Sequence, residues 1–343
     1  MGGLSKKAFQ ISSVSARFDA PAVIVDAGNL LFEPQAVPPT VDDKITAAGI
    51  MDIQQLMAVD AVAVGPHDLA AGIDFLLASR RKGFPWLSAN LVDRDRSPLF
   101  APSLTIARSG LDIGIIGLTG AGAPLPPGTH LADWREILPR QLQHLDRSSD
   151  MVIVLSSLPL AENIEIIKQH PQINILITAD SSQGNIAPTI TGQTLMTQTQ
   201  SQGKYLGQLV IDWLPGHPWG QDVSLDQRRL QERLAIVERR IRRTEQRNLS
   251  PGTIDAVPID RLQQEKEGLL RQLADLRTQQ EKIKNGGIPA SRFTHSFIGL
   301  NNSLQSDTKV AEKISQVKRN IADSHRRQGS TGSPVYSGRT MRN

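Results

Sequence analysis

Short apolar runs alternate with longer amphipathic stretches over the first two-thirds of the chain. Ala22–Val25, Ala61–Val64, Ile113–Ile116, Met151–Leu155 and Ile173–Ile177 are rich in Val, Ile and Ala and too short for buried helices. They predict strands covered on both faces. Between them, Leu4–Phe18, Lys44–Met57, Ile73–Lys82, Trp134–Arg147 and Ala161–Gln169 predict helices. The alternation predicts an α/β layered domain. Thr194–Gln200 and Gln208–Asp212 predict later strands, placed on a second sheet.

The pattern changes after Leu214-Pro-Gly-His-Pro-Trp219, a run of breakers that sets a domain boundary near residue 220. Ser224-Leu-Asp-Gln227 resembles a capping box. Leu230, Leu234, Val237 and Ile241 follow at spacings of four, three and four. Asn248–Asp260, with Pro251 and Pro258, predicts a loop. Leu262, Leu269, Leu276 and Ile283 then recur every seven residues, with Leu273 between them, until Asn285-Gly286-Gly287. This predicts an antiparallel coiled-coil hairpin over 221–287. Leu262, Leu269, Leu276 and Ile283 are its expected surface for a protein partner or a second copy. A return strand (Arg292–Leu300) and a helix (Lys309–Arg326) fill 288–327. Gln328–Asn343, rich in Gly, Ser and Arg, predicts a disordered tail.

Composition narrows the function classes. The 343 residues are 39% hydrophobic and 4% aromatic, with a net charge of +4. That balance is not the signature of a dedicated nucleic-acid protein. The positive charge is local: Leu225–Arg247 holds eight Arg against four acids. The dense segment Arg239–Arg243 reads as a solvated helix face rather than a nucleic-acid arm. No cysteine is present, which excludes disulfides, thiolate metal sites and Cys nucleophiles. No run reaches the length of a membrane span. No apolar leader follows Met1–Lys7, so the chain reads as soluble.

Candidate chemistry sits at four strand-to-loop junctions: Val25-Asp-Ala-Gly-Asn29, Gly65-Pro-His-Asp68, Leu155-Ser-Ser-Leu158 and Ala179-Asp-Ser-Ser182. With Gly2–Lys6, Phe84–Leu91, Ile113–Thr119 and Gln198–Leu209, they resemble the metallophosphatase domain of the 5'-nucleotidase type, among the calcineurin-like phosphoesterases. The resemblance runs from residue 2 to about 212. It implies an αββα-type sandwich over residues 1–220. It also implies two divalent metals, Mn²⁺ or Zn²⁺, about 3.5–4 Å apart, clamping a phosphate.

Most of the implied ligands are replaced. The family's first ligand pair would precede Gly2-Gly3, so the first strand is expected to be missing from this chain. Asn29 stands where the bridging Asp belongs, and a neutral amide cannot bridge two cations as a carboxylate does. Pro66 replaces an Asn ligand and Ser157 a His ligand. Asp180 and Ser182 replace the two His of the last motif. His67 keeps the place of the phosphoryl-contacting histidine, and Asp68 that of the acid orienting it. Asn29 and Asp180 are the residual metal donors. Asp180-Ser181-Ser182 is also a good turn sequence. Asp26 reads as structural, and His130, His144 and His170 as surface residues.

Two functions follow. The first is a catalytically degenerate phosphoesterase-fold protein, without a cofactor, acting as a binding or assembly module. The alternative is an active metal-dependent phosphohydrolase requiring Mn²⁺ or Zn²⁺ and His67. The layout beyond residue 220 is similar to exported proteins that join such a domain to a multihaem cytochrome region. That similarity implies an electron-transfer partner and a periplasmic or exported location. This chain has no Cys-x-x-Cys-His and so carries no c-type haem itself.

Overall fold

The computed structural model describes residues 3–18, 22–33, 38–122, 125–200, 203–220, 223–248, 259–285 and 289–330. Of the expected tail, Gln328–Asn343, residues 331–343 lie outside them, as does most of the Asn248–Asp260 loop, while residues 328–330 close a helix that runs to Ser330 rather than opening the tail. Contacts divide the chain into two units, Met1–Gln208 with His295–Asn343, and Leu209–Thr294.

The first unit is a mixed α/β fold with helices on its sheets. Its elements begin with α1 (Leu4–Arg17), β1 (Val25–Asp26), α2 (Val41–Leu56), β2 (Ala61–Ala63), α3 (Ile73–Arg81) and β3 (Trp86–Leu87). β1, β2 and β3 form a three-stranded parallel sheet with β2 central. A small antiparallel ladder pairs β4 (Leu91–Asp93) with β7 (Thr129–Leu131).

The larger sheet has six strands in the order β10-β11-β9-β8-β6-β5. These are β5 (Ser103–Arg108), β6 (Leu111–Leu118), β8 (Met151–Ser156), β9 (Ile175–Thr178), β10 (Ile186–Thr191) and β11 (Thr194–Gln198). The four central strands run parallel, and the edges β5 and β10 are antiparallel to their neighbours. Crossover helices α4 (Trp134–Asp146) and α5 (Leu160–Gln169) join β6 to β8 and β8 to β9. Every residue of β8 is buried, as its unbroken Met-Val-Ile-Val-Leu run requires.

Each sheet face has its own core. Leu138, Leu142 and Leu145 of α4 and Ile166 and Ile167 of α5 pack on Ile116, Leu118, Val152 and Val154. Ala47 and Met51 of α2 and Leu76 of α3 pack on Val62, Val64 and Trp86. Between the sheets, a Cβ at Gly117 would fall 2.5 Å from the Leu87 carbonyl oxygen, so only glycine permits this approach. A third cluster joins Ala8 of α1 and Ile53 of α2 to Val310 and Ile314 of α8 (Thr308–Ser330). Lys313 adds an ion pair to Asp52 at 2.7 Å.

Two readings are corrected. Thr194–Gln198 is not on a second sheet: Leu195 and Met196 pair with Ile175 and Leu176 inside the six-stranded sheet. The second sheet is built from the early strands β1 to β3, and its strands of two or three residues give little periodicity to read. Ala22–Val25, expected to be covered on both faces, is only half-buried, and the strand there is Val25–Asp26 on the outside of the small sheet.

In the second unit, α6 (Val223–Asn248) packs along α7 (Asp260–Asn285). Val237, Ile241 and Leu269 form the buried seam, flanked by Leu230, Leu234 and Leu262. Ion pairs Arg233–Glu265 and Glu238–Lys266 run beside it. Leu262 and Leu269, expected to meet a partner, are therefore spent on α6 of their own chain. The side chains of Leu276 and Ile283 lie outside the described residues. Trp219 packs at a tilt against Trp213, with ring centroids 5.1 Å apart, and edge-on against Phe293 at 5.8 Å. β12 (Tyr205–Asp212) and β13 (Arg292–Gly299) pair as a two-stranded ribbon.

Gly49 of α2 lies against Val317 of α8 with no room for a Cβ. Gly49→Leu is expected to lower unfolding stability by about 1–3 kcal/mol, an overpacking cost, as read by urea denaturation.

Candidate functional site

The four junctions meet at the C-terminal ends of β1, β2, β8 and β9. Their first organiser is Asp68, which is fully buried. Its Oδ1 accepts from the backbone N–H groups of Leu30 and Leu31, both at 2.8 Å. Its Oδ2 accepts from Asn29 N at 2.9 Å and Gly65 N at 2.8 Å. Four backbone donors thus close on one carboxylate, tying the loop after β1 to the loop after β2. Asp68 is not the partner of the His67 ring that the sequence led one to expect. Its lone pairs are consumed by the backbone. Burial pushes its carboxyl up to about 7, against the pull of the Gly65, Leu31 and Asn29 N–H groups and helped by the nearby Asp26 charge.

Asn29 is the second organiser. It adopts φ 59°, a left-handed conformation that Asn tolerates better than most side chains. Its Oδ1 accepts from His67 N at 3.1 Å, and its Nδ2 donates to Ala179 O at 3.0 Å. One amide therefore bridges the loops after β2 and β9. The Ala179 bond needs an N–H donor, which a carboxylate cannot supply.

The remaining positions are also engaged. Pro66 opens a turn of 3-10 helix, Pro66–Ala71, with Gly122 against its ring. Ser157 Oγ accepts from Gly120 N at 2.9 Å, joining the loops after β6 and β8. Asp180 accepts from Ser182 N, Ser182 Oγ and Leu160 N, at 2.9, 2.7 and 2.9 Å. It makes the expected turn and also braces the start of α5. Burial works against ionisation of Asp180, yet the bonds from Ser182 and Leu160 hold its carboxyl below the usual range. His67 is half-buried. Burial lowers its pKa, with the Glu33 charge opposing. Asp26 accepts from Gly28 N and lies 3.9 Å from Lys7. Burial raises its pKa against both contacts.

Sequence reasoning missed a buried polar knot beneath these loops. Thr119 Oγ1 bonds Val64 O and Ser88 Oγ, while the Asn90 amide pairs with the Thr119 backbone at 2.8 Å in both directions. Hydroxyls and an amide inside an apolar stretch, Trp86–Leu91, were the available signal. His170 also departs from its expected surface role. It lies half-buried with its ring 6.5 Å from that of Trp134, and burial lowers its pKa.

No known protein-family profile and no curated protein sequence matches the chain. Solved structures do. A 5'-nucleotidase precursor from Thermus thermophilus aligns with a TM-score of 0.53 and 21% identity, over 62% of this chain and 46% of that one. The chain shares a fold with that protein over the aligned part. The sulfate thiohydrolase SoxB of the same organism gives 0.54 and 15%, over 62% and 40%. The Candida albicans 5'-nucleotidase gives 0.55 and 12%, over 94% of this chain and 54% of that one. The chain spans about half the length of these proteins.

A two-metal centre of that fold needs several carboxylates and imidazoles converging on one point. Among the described residues no group of three or more His, Cys, Asp or Glu does so. Asp68 faces four N–H groups, Asn29 has both polar atoms engaged, and Asp180 is held by three donors. These residues do not fit the metal pair.

Asp68→Asn is expected to cost about 1–3 kcal/mol, because its NH₂ would face backbone donors. The wild-type carboxyl titrates above its unfolded value. Its contribution to stability is therefore complete at low pH and lost as pH rises through about 7. The stability gap between wild type and Asp68→Asn should narrow from pH 5 to pH 8 in paired denaturation curves.

Proposed function

We propose that this chain is a catalytically silent metallophosphoesterase-fold protein that serves as a binding or assembly module. The observation that carries the reading is Asn29. Where the fold's enzymes need a bridging carboxylate, this amide uses its donor and its acceptor to hold two loops together. Pro66 offers no donor atom, and Ser157 is spent on Gly120. A loop-bridging amide gains nothing from a metal, whereas a bridging carboxylate without one would be an uncompensated buried charge.

The module's partner side is assigned to the second unit, whose helix α6 concentrates eight Arg within Leu225–Arg247. An exported location and an electron-transfer partner belong to the same proposal, supported by the layout resemblance alone. Among the described residues no helix is long and apolar enough to cross a membrane.

The test is metal content after loading with Mn²⁺ or Zn²⁺ and desalting, with nucleotide and bis(p-nitrophenyl) phosphate hydrolysis read on the same sample. Less than about 0.1 metal per chain and no metal-dependent turnover are expected. A stoichiometry near two, with activity lost in His67→Ala, would establish the phosphohydrolase instead. Asn29→Asp adds a second readout. It should lose about 1–2 kcal/mol of stability with the Ala179 bond and should not acquire metal.

A further inference from the structure

The apolar seam of α6 is spent inside the chain, but the stripe beside it is not. Arg229, Arg233, Ile236, Arg240, Arg243 and Arg247 recur at spacings of four, three, four, three and four. This is the heptad spacing of the seam Leu230, Leu234, Val237 and Ile241, moved by one residue. At about 1.5 Å rise per residue, successive members lie roughly 5 Å apart along one flank. Arg233, Ile236, Arg240 and Arg243 are exposed, and Ile236 is 45% exposed. Arg233 has an acidic partner, Glu265 at 3.5 Å. Arg240 and Arg243 have none among the described residues. From Arg229 onward no acid falls on this stripe, although Asp226 precedes it by three residues: Glu238 reaches Lys266 on the opposite flank at 3.2 Å, and Glu245 follows it by seven residues. Leu225–Arg247 contains no lysine.

We propose that this stripe docks an acidic helix of a protein partner. Its Glu or Asp residues would recur at the same three-and-four spacing, and an apolar residue would face Ile236. The inference rests on the binding-module reading and names the surface and the partner class. Three observations favour a helix. Alternating spacings of three and four are those of one helix laid along another. The planar guanidinium pairs carboxylates in a bidentate way that lysine cannot match. An exposed isoleucine amid arginines suits a protein interface, where apolar and Arg residues concentrate, and has no use against a phosphate backbone.

The test uses the full chain and two labelled synthetic peptides of identical composition, each about four heptads long. One places Glu at the matching spacing with a central Leu. The other has the Glu positions shuffled off that stripe. Fluorescence anisotropy at about 0.15 M salt should show the in-register peptide binding at least about tenfold tighter. Arg240→Glu and Arg243→Glu should each weaken it about tenfold or more. Arg242→Glu makes the same charge change on the other flank and should weaken it less than about threefold. Unchanged helical circular dichroism shows that each variant is folded. Equal binding of the two peptides, or Arg242→Glu as damaging as Arg240→Glu, would overturn the proposal in favour of diffuse charge attraction. Tighter binding of a duplex RNA, or of vesicles containing anionic lipid, would overturn it in favour of a phosphate surface. Metal content and hydrolysis are measured independently of the peptide titration. An active enzyme would defeat the silent-module reading and leave the docking result standing.

Discussion

The site depends on one buried carboxylate closed by four backbone N–H groups. Without Asp68, the amides of Asn29, Leu30, Leu31 and Gly65 would face an interior with no acceptor, each a costly orphan. With it, two loops that leave adjacent strands are fixed against each other within one side chain's reach. That fixation sets Asn29 in its left-handed conformation and aims its amide at His67 and Ala179. The buried knot of Ser88, Asn90 and Thr119 then anchors the loops after β3 and β6 to the same framework through Val64.

The loops of this scaffold are thereby held by the chain's own side chains. Two cations at the centre of a loop cluster neutralise converging carboxylates and hold the loops in place. Here hydrogen bonds of Asp68, Asn29 and Asp180 do the holding. Asn29, Ser157 and Asp180 each bind a neighbouring loop or helix start, so their polar atoms are already engaged. Order in the loops follows from this substitution pattern.

Much of the architecture was legible in the sequence because long apolar runs leave few alternatives. β8 and its crossover helices follow from Met151–Leu155 and from helical spacing over Trp134–Arg147 and Ala161–Gln169. β3, β4 and β7 were not legible, since two or three residues carry no period. At the site, sequence located all four junctions but could not say what their side chains hold. An aspartate beside a histidine suggests a dyad, and only the fold reveals that Asp68 turns instead to the backbone. The role of Leu262 and Leu269 was misjudged for a related reason. A heptad pattern states that a face is buried but not whether its cover comes from the same chain.

The first unit is discontinuous in sequence, with Leu209–Thr294 inserted before the segment that holds α8. Ile53, on the outer face of α2, is fully covered only once Val310 and Ile314 arrive. On a ribosome adding ~5–20 residues per second, the interval between residues 208 and 330 lasts on the order of ten seconds. For that time the nascent chain carries an apolar helix face covered only in part, by Ala8 and Ile11 of α1, while the inserted helices fold. How long that face waits is set by where α8 lies along the chain, independently of how stable the finished protein is.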